Sequence, residues 1–237
     1  MRQACPMAKQ IPRLLALAAR GLTLPCECVL CGDAIRGQID LCHACQSDLP
    51  ANSGARCQTC CLPTTGDRCP NCRAHPPGCN ICDAPFLYRY PVDALIIAFK
   101  QHRNLPAGEA LVRLAPIDLV NADALVPVPL HWRRQRARGY NQSLLMAETL
   151  SRRSGIPVFT GVSRRRATAP QKALSRRERT LNLANAFRVS PEARGLRLTI
   201  VDDVITTGAT VTALASALIG AGAERADAWC LARTEAP

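Results

Sequence analysis

The cysteines constrain this chain more than any other feature. Of 14 cysteines, 12 fall between Cys26 and Cys82, and they recur as Cys-x-x-Cys pairs. Cys28-x-x-Cys31 is followed after ten residues by Cys42-x-x-Cys45, and Cys57-x-x-Cys60 after eight by Cys69-x-x-Cys72. Each pair closes a tight turn that aims two sulfurs at one spot, so two pairs offer four thiolates to a tetrahedral ion. The spacing predicts one or two structural zinc ions. Cys28, Cys31, Cys42 and Cys45 form the first ligand set, and Cys57, Cys60, Cys69 and Cys72 the second. Such four-sulfur sites are closed, whereas catalytic zinc keeps an open position. Four thiolates also suit an iron–sulfur cluster. Cys26, Cys61, Cys79 and Cys82 are left over: Cys79-x-x-Cys82 competes for a place in the second set, and Cys26 in the first. His43, inside a knuckle, reads as exposed and unligated. Cys5 and Cys230 read as small buried apolar residues.

The segment from 26 to 83 is poor in long apolar runs, so it cannot bury much core and a metal has to hold it together. From Phe86 onward the composition changes, which puts a boundary near residue 84. The expected organisation is an amphipathic helix within residues 1–25, a double zinc ribbon over 26–84 and an α/β domain over 85–237. Near the N-terminus, Leu14 to Ala19 is interrupted by Arg20. That run is too short for a secretory apolar region and falls well below the about 18 apolar residues of a membrane span. Cysteine knuckles in place of scattered disulfide partners, with only Cys230 in the C-terminal half, point to the cytoplasm.

The second part alternates strands and helices. Leu95 to Phe99 opens it as a helix or strand. Ala124 to Leu130 reads as a buried strand ending in prolines. Asn141 to Arg153 has helical periodicity, with Leu144, Leu145, Ala147 and Leu150 on one face. Ile156 to Phe159 is a short strand, and residues 163–182 form a basic loop without hydrophobic period. Leu196 to Val201 is a continuous apolar strand, Thr210 to Ala221 a helix, and Asp227 to Ala232 a last strand. This order predicts a mainly parallel sheet with helices on both faces. With 48% hydrophobic but only 4% aromatic residues, its core has to be built from Ala, Leu, Val and Ile.

One stretch carries chemistry. After the strand ending at Val201 come Asp202-Asp203-Val204-Ile205 and then Thr206-Thr207-Gly208-Ala209-Thr210, opening a helix. Ligands of open parallel sheets bind at that edge. A helix N-terminus presents unpaired amides and a positive dipole end, which hold phosphate. Gly208 lets the backbone approach closely, and Thr206 or Thr207 can cap the helix. Two carboxylates alone would repel a phosphate, but they suit sugar hydroxyls and a hydrated divalent cation. The net charge of +12 is dominated by arginine, since only Lys9, Lys100 and Lys172 among 30 basic residues are lysines. Guanidinium grips phosphate bidentately, so a polyphosphate metabolite or a nucleic acid both fit.

The Asp202 to Thr210 stretch resembles the motif by which type I phosphoribosyltransferases bind 5-phosphoribosyl-1-pyrophosphate (PRPP). Pro127-Val128-Pro129-Leu130, Arg134 and Arg138-Gly139-Tyr140-Asn141-Gln142 resemble the ComF/GntX family. So do Arg164, Arg166, Thr168, Gln171, Leu174, Arg179, Asn182 and Phe187 at their mutual spacing. That family carries an N-terminal double zinc ribbon, so the resemblance covers nearly the whole chain. Two departures stand out: Tyr140 replaces the usual phenylalanine, and Cys79-x-x-Cys82 is extra. The resemblance implies a type I phosphoribosyltransferase-like sheet that binds PRPP with Mg2+. Asp202 and Asp203 would take the ribose hydroxyls, and Val204 with Thr206, Thr207, Gly208, Ala209 and Thr210 would form the phosphate cradle. Arg134 and Arg138, after the first core strand, would face the pyrophosphate. Lys172, Arg176 and Arg179 would reach it from a closing loop.

It further implies an enzyme of nucleotide metabolism in the glycosyltransferase class, moving phosphoribose to an acceptor. Members linked to competence and DNA uptake imply a second function: a module that senses PRPP or a nucleotide while its ribbons contact single-stranded DNA or competence proteins. Acceptor-dependent pyrophosphate release separates the first from salt-dependent DNA binding, the mark of the second. The ribbons' few aromatics weigh against base stacking.

Overall fold

The structure, a computed structural model, describes residues 26–35, 37, 39–119, 121–130, 136, 138–164 and 186–235. The expected N-terminal helix, Arg134, Lys172 and the basic stretch after Arg164 lie outside these residues. The chain forms two compact units, 1–47 and 48–237.

In the first unit, β1 (Cys26–Glu27) pairs antiparallel with β2 (Ala34–Ile35), and α1 (His43–Ser47) follows. The turn between the strands is closed by Cys28 N–H donating to the Asp33 carbonyl at 2.8 Å and Gly32 N–H to the Cys28 carbonyl at 2.9 Å. Gly32 sits at φ +81°, where a side chain would be strained. Among the described residues of this unit, Ile35 and Leu41 are the buried aliphatic ones.

The second unit runs through α2 (Pro70–Ala74), β3 (Cys82–Asp83), β4 (Phe86–Leu87), α3 (Val92–Gln101), α4 (Leu105–Leu114) and β5 (Ala124–Pro127). It continues with α5 (Gln142–Ser154), β6 (Val162–Arg164), β7 (Phe187–Val189), β8 (Arg197–Ile205), α6 (Ala209–Gly220) and β9 (Arg225–Arg233). β5, β8 and β9 lie side by side, and β3 and β4 both pair with β9; every pairing in this sheet is parallel. β8 is therefore bonded along both edges. Leu198, Ile200 and Val201 are buried, which is why this stretch reads as a continuous apolar run rather than an alternating one. β6 and β7 form a separate antiparallel ribbon. The sheet with flanking helices is the fold class that the alternating pattern predicts.

Several elements differ from the sequence reading. Leu95 to Phe99 is helical, within α3. The buried face of α5 is Gln142, Ser143, Met146, Ala147, Thr149 and Leu150, while Leu144 and Leu145 are half-buried. Three residues of that face, Gln142, Ser143 and Thr149, are polar, and apolar periodicity does not register buried polar side chains. The strand expected at Ile156 to Phe159 reduces to one parallel bridge, Leu125 to Val158. β8 continues past Val201 to Ile205, so the two aspartates lie within the strand rather than beyond it. No side chain caps α6; its N-cap is Gly208 at φ +74°.

The second compact unit begins at Asp48, and the segment following the second cysteine set is built into its sheet. Cys82 and Asp83 register with Ala228 and Trp229, and Asn52 Nδ2 donates to the Ala84 carbonyl at 2.9 Å. Among the described residues, no helix is long and apolar enough to cross a membrane.

α3 and α4 pack closely through Gly108. A Cβ there would lie 2.6 Å from Cγ of Phe99, a ring only 2% exposed and unable to swing aside. Gly108→Ala should lower unfolding stability by about 1–2 kcal/mol, the overpacking cost outweighing the helix-propensity gain. A urea titration checks the sign, since stabilisation would show that the interface has slack.

Candidate functional site

The carboxyl edge of β8 gathers side chains from three elements. Asp202 Oδ1 accepts from Ser143 Oγ at 3.1 Å and from the Asp203 backbone N–H at 3.0 Å. Asp203 Oδ2 accepts from Gln142 Nε2 at 3.0 Å, and its Oδ1 pairs with Lys100 Nζ at 2.7 Å. Gln142 and Ser143 open α5, whose start is pinned by Asn141. That side chain accepts from Ser143 N–H at 3.0 Å and donates to the Val128 carbonyl at 3.1 Å. Val128 in turn donates to the Val201 carbonyl at 3.0 Å, so the end of β5 runs beside the aspartates. Lys100 comes from α3, which is tied to the same region by Tyr140: its hydroxyl donates to the Phe99 carbonyl, and the two rings lie 5.8 Å apart.

Burial shapes the electrostatics. Loss of solvent, and then the charge of Asp203, push the Asp202 carboxyl up to about 7, although the Asp203 amide, Lys100 and Ser143 pull the other way. Gln142 is 4% exposed, and its Oε1 has no hydrogen-bond partner among the described residues. An orphaned buried acceptor beside two carboxylates suits a hydroxyl-bearing ligand.

Beyond Asp203, Val204 and Ile205 finish the strand. Thr206 and Thr207 are exposed, and Gly208, Ala209 and Thr210 turn into α6. The N–H groups of Thr206, Thr207 and Gly208 donate to no backbone carbonyl among the described residues. Ala209 N–H reaches Thr207 Oγ1 at 3.4 Å. Free amides, two hydroxyls and the positive end of a twelve-residue helix make an anion cradle beside the carboxylates. Arg138 is half-buried, and one Nη is enclosed with no hydrogen-bond partner among the described residues.

The structure brings together Asp202, Asp203 and the loop to Thr210. Sequence reasoning missed Lys100, Gln142 and Ser143 around them, because their relevance depends on where α3 and α5 pack. The signals in the sequence were Gln142, the last residue of the Arg138-Gly139-Tyr140-Asn141-Gln142 stretch, and Lys100, one of three lysines in an arginine-rich chain.

The eight cysteines form two clusters, Cys28, Cys31, Cys42, Cys45 and Cys57, Cys60, Cys69, Cys72, in each of which all sulfurs lie within 4.8 Å of one another. Cys61, Cys79 and Cys82 are buried outside these clusters; Cys61 Sγ donates to the Cys82 carbonyl at 3.0 Å and Cys79 Sγ to the Thr59 carbonyl at 3.7 Å. Cys230 is fully buried, and His43 is exposed. Burial pushes the Cys28 thiol up, but backbone amides of Cys31, Cys42 and Leu30 outweigh it and hold the thiol at about 6. In the second cluster burial acts the same way on Cys57, and amides of Cys69, Thr59 and Cys60 hold it at about 6. Burial and neighbouring thiolates push Cys45 and Cys72 up. One thiolate per cluster is thus favoured, and a soft cation is what the full set needs to ionise together, which fits the donor chemistry of zinc.

A phosphoribosyl transferase domain model matches residues 140–236. The DNA utilization protein YhgH of Escherichia coli (strain K12) is 37% identical over 226 residues, covering 90% of this chain and 99% of that protein. Competence protein F of Haemophilus influenzae is 32% identical over 223 residues, covering 87% of this chain and 96% of that protein. Competence protein ComFC of Bacillus subtilis is 35% identical over 98 residues, 41% of this chain and 39% of that protein. Among solved structures, the allosteric regulatory enzyme of purine biosynthesis aligns at 22% identity with a TM-score of 0.36. That alignment spans 52% of this chain and 24% of the enzyme, a likeness too slight to decide anything.

Elemental analysis of purified protein should find zinc near one ion per cysteine cluster, two per chain. Near-zero metal in folded protein would show that the thiols pack without an ion. For Asp202, the unfolded carboxyl ionises near pH 4 and the folded one near 7, so its ionisation weakens the fold progressively between those values and fully above. In magnesium-free buffer, Asp202→Asn should therefore raise stability at pH 8 by about 1–3 kcal/mol and change it little at pH 4. Equal effects at both pH values would show that Asp202 ionises normally.

Proposed function

The chain belongs to the ComF family, with a phosphoribosyltransferase-like domain, and from that premise we propose that it binds PRPP with a divalent cation and transfers its phosphoribosyl group to an acceptor. The observation that carries this reading is the junction of β8 and α6: two adjacent carboxylates running directly into an anion cradle. The cradle from Thr206 to Thr210 takes the 5-phosphate on backbone amides and threonine hydroxyls. Asp202 and Asp203 accept hydrogen bonds from the ribose hydroxyls, with Gln142 and Ser143 holding both carboxylates in register. Arg134, Arg138 and Lys172 act at the pyrophosphate, where their charge offsets that of the leaving group. As the bond from ribose C1 to the pyrophosphate oxygen breaks, the electron pair leaves with pyrophosphate and the acceptor's lone pair forms the new bond to C1. Magnesium bound with PRPP supplies charge neutralisation for the departing group. The cysteine clusters hold structural zinc, one in an N-terminal ribbon and one against the sheet.

A second reading is favoured by the names of the relatives, which concern DNA utilization and competence. In it the domain senses PRPP or a nucleotide without turnover, and the zinc modules contact single-stranded DNA or competence proteins. The net charge of +12, mostly arginine, supports contact with a polyanion.

Calorimetry decides the first point. Titrating PRPP with magnesium should give saturable heat that is lost in an Asp202→Asn, Asp203→Asn double variant. Folded, zinc-loaded wild type giving no heat would sink the PRPP reading. If PRPP binds but no acceptor releases pyrophosphate, and single-stranded DNA binds with a steep salt dependence, the second reading replaces the first.

A further inference from the structure

Arg233, the last residue of β9, is 6% exposed, and among the described residues no carboxylate pairs with it. An unpaired buried guanidinium is costly unless its donors find acceptors, and here oxygen atoms of the chain accept from Nε and Nη1. Nη1 donates to the Ile205 carbonyl at 2.8 Å, to the Thr206 carbonyl and to Thr234 Oγ1 at 3.0 Å. Nε donates to the Cys60 carbonyl at 2.7 Å. One side chain therefore joins the first residues of the phosphate loop to a residue of the second cysteine cluster, 173 positions away in sequence.

Both ends of this bridge matter. A carbonyl that faces a guanidinium cannot face an anion, so Arg233 turns the Ile205 and Thr206 oxygens away from the cradle and leaves its amides for the ligand. Its charge, uncompensated by a carboxylate, adds to the field beneath the loop. Thr234 reinforces the arrangement: its N–H donates to the Ile205 carbonyl at 3.0 Å and its hydroxyl to the same oxygen at 3.2 Å. At the other end, the knuckle from Cys57 to Cys61 has each of its carbonyls engaged. Cys57 accepts from Cys61 N–H at 2.9 Å, Gln58 from Cys82 N–H at 2.6 Å, Thr59 from Cys79 Sγ and Cys61 from Asn52 Nδ2, leaving Cys60 to Arg233. The place of the Cys60 carbonyl follows the geometry that the four sulfurs impose on this turn.

We infer that Arg233 is a positioning residue that couples the second four-cysteine site to the phosphate loop, so that loss of the ion from that site loosens the loop and weakens its hold on a phosphate. The ligand part of this inference rests on the PRPP reading above; the coupling itself does not.

The test is a double-mutant cycle on the full chain, with metal content, PRPP–magnesium calorimetry and hydrogen exchange of the loop-bonded amides, Thr212 N–H on the Gly208 carbonyl and Thr234 N–H on the Ile205 carbonyl, as readouts. Arg233→Met should keep the second ion, while its loop amides exchange about tenfold faster and PRPP binds about tenfold more weakly, the worth of a charged hydrogen-bond set. Arg233→Lys keeps the charge but cannot span both ends, so it should recover part of the affinity and none of the coupling. If the methionine variant does not fold, the lysine variant carries the cycle. Cys69→Ser, Cys72→Ser should speed loop exchange in the wild-type background and add nothing in Arg233→Lys. Equal effects of cluster disruption in both backgrounds, or loop exchange in Arg233→Lys unchanged from wild type, would overturn the inference. Wild type that does not bind PRPP would instead defeat the functional reading, and the exchange cycle would still decide the coupling.

Discussion

Two adjacent carboxylates inside a parallel strand set the terms for the rest of the molecule. Burial and the charge of Asp203 both favour the neutral form of Asp202, so a carboxylate pair in this place needs partners. The surrounding elements answer that demand. α5 begins with Gln142 and Ser143 facing them, and Asn141 pins that beginning to the end of β5. α3 delivers Lys100 to Asp203. A site of this kind is stable enough to exist and strained enough to welcome a ligand that brings hydroxyl donors or further positive charge.

The second cysteine cluster belongs to this arrangement rather than to an appendage. β3 and β4, which follow it in sequence, pair with β9 and extend the sheet that carries the aspartates. Metal-organised turns usually stabilise what is too small to hold itself together. Here the knuckle abuts a sizeable core, so an ion held there would have more to organise than its own loop, and the hydrogen bonds of Arg233 would give that influence a path. Around the first cluster the described residues include few buried aliphatic ones, Ile35 and Leu41, so a metal held there would take the ordinary role of substituting for a core.

The chain belongs to the ComF family and carries a phosphoribosyltransferase-like domain, while its relatives are named for DNA utilization and competence. A carboxylate pair beside an anion cradle, read as the proposed PRPP site, would serve either turnover or sensing. The difference lies in the groups that would face the pyrophosphate, Arg134, Arg138 and Lys172, and in the acceptor that approaches C1. Neither is a property of the β8–α6 junction, which would be built the same way for both.

What the sequence determined by itself were features encoded within short stretches. Cysteine spacing specified both four-sulfur sets, because a Cys-x-x-Cys turn is a local structure. The run from Leu198 to Thr210 announced a buried strand, a carboxylate pair and a glycine turn into a helix, because backbone propensity and the order of residue types act over a few positions. Element ends were less legible: β8 runs on through Asp203, since ladder hydrogen bonds to β9 override the polarity of its side chains. Tertiary structure alone decided that Lys100, Gln142 and Ser143 serve the aspartates, that the chain divides after Ser47, and that Arg233 joins Cys60 to Ile205. Each of these depends on groups tens to more than a hundred residues apart, and only packing brings such distant groups within hydrogen-bond reach.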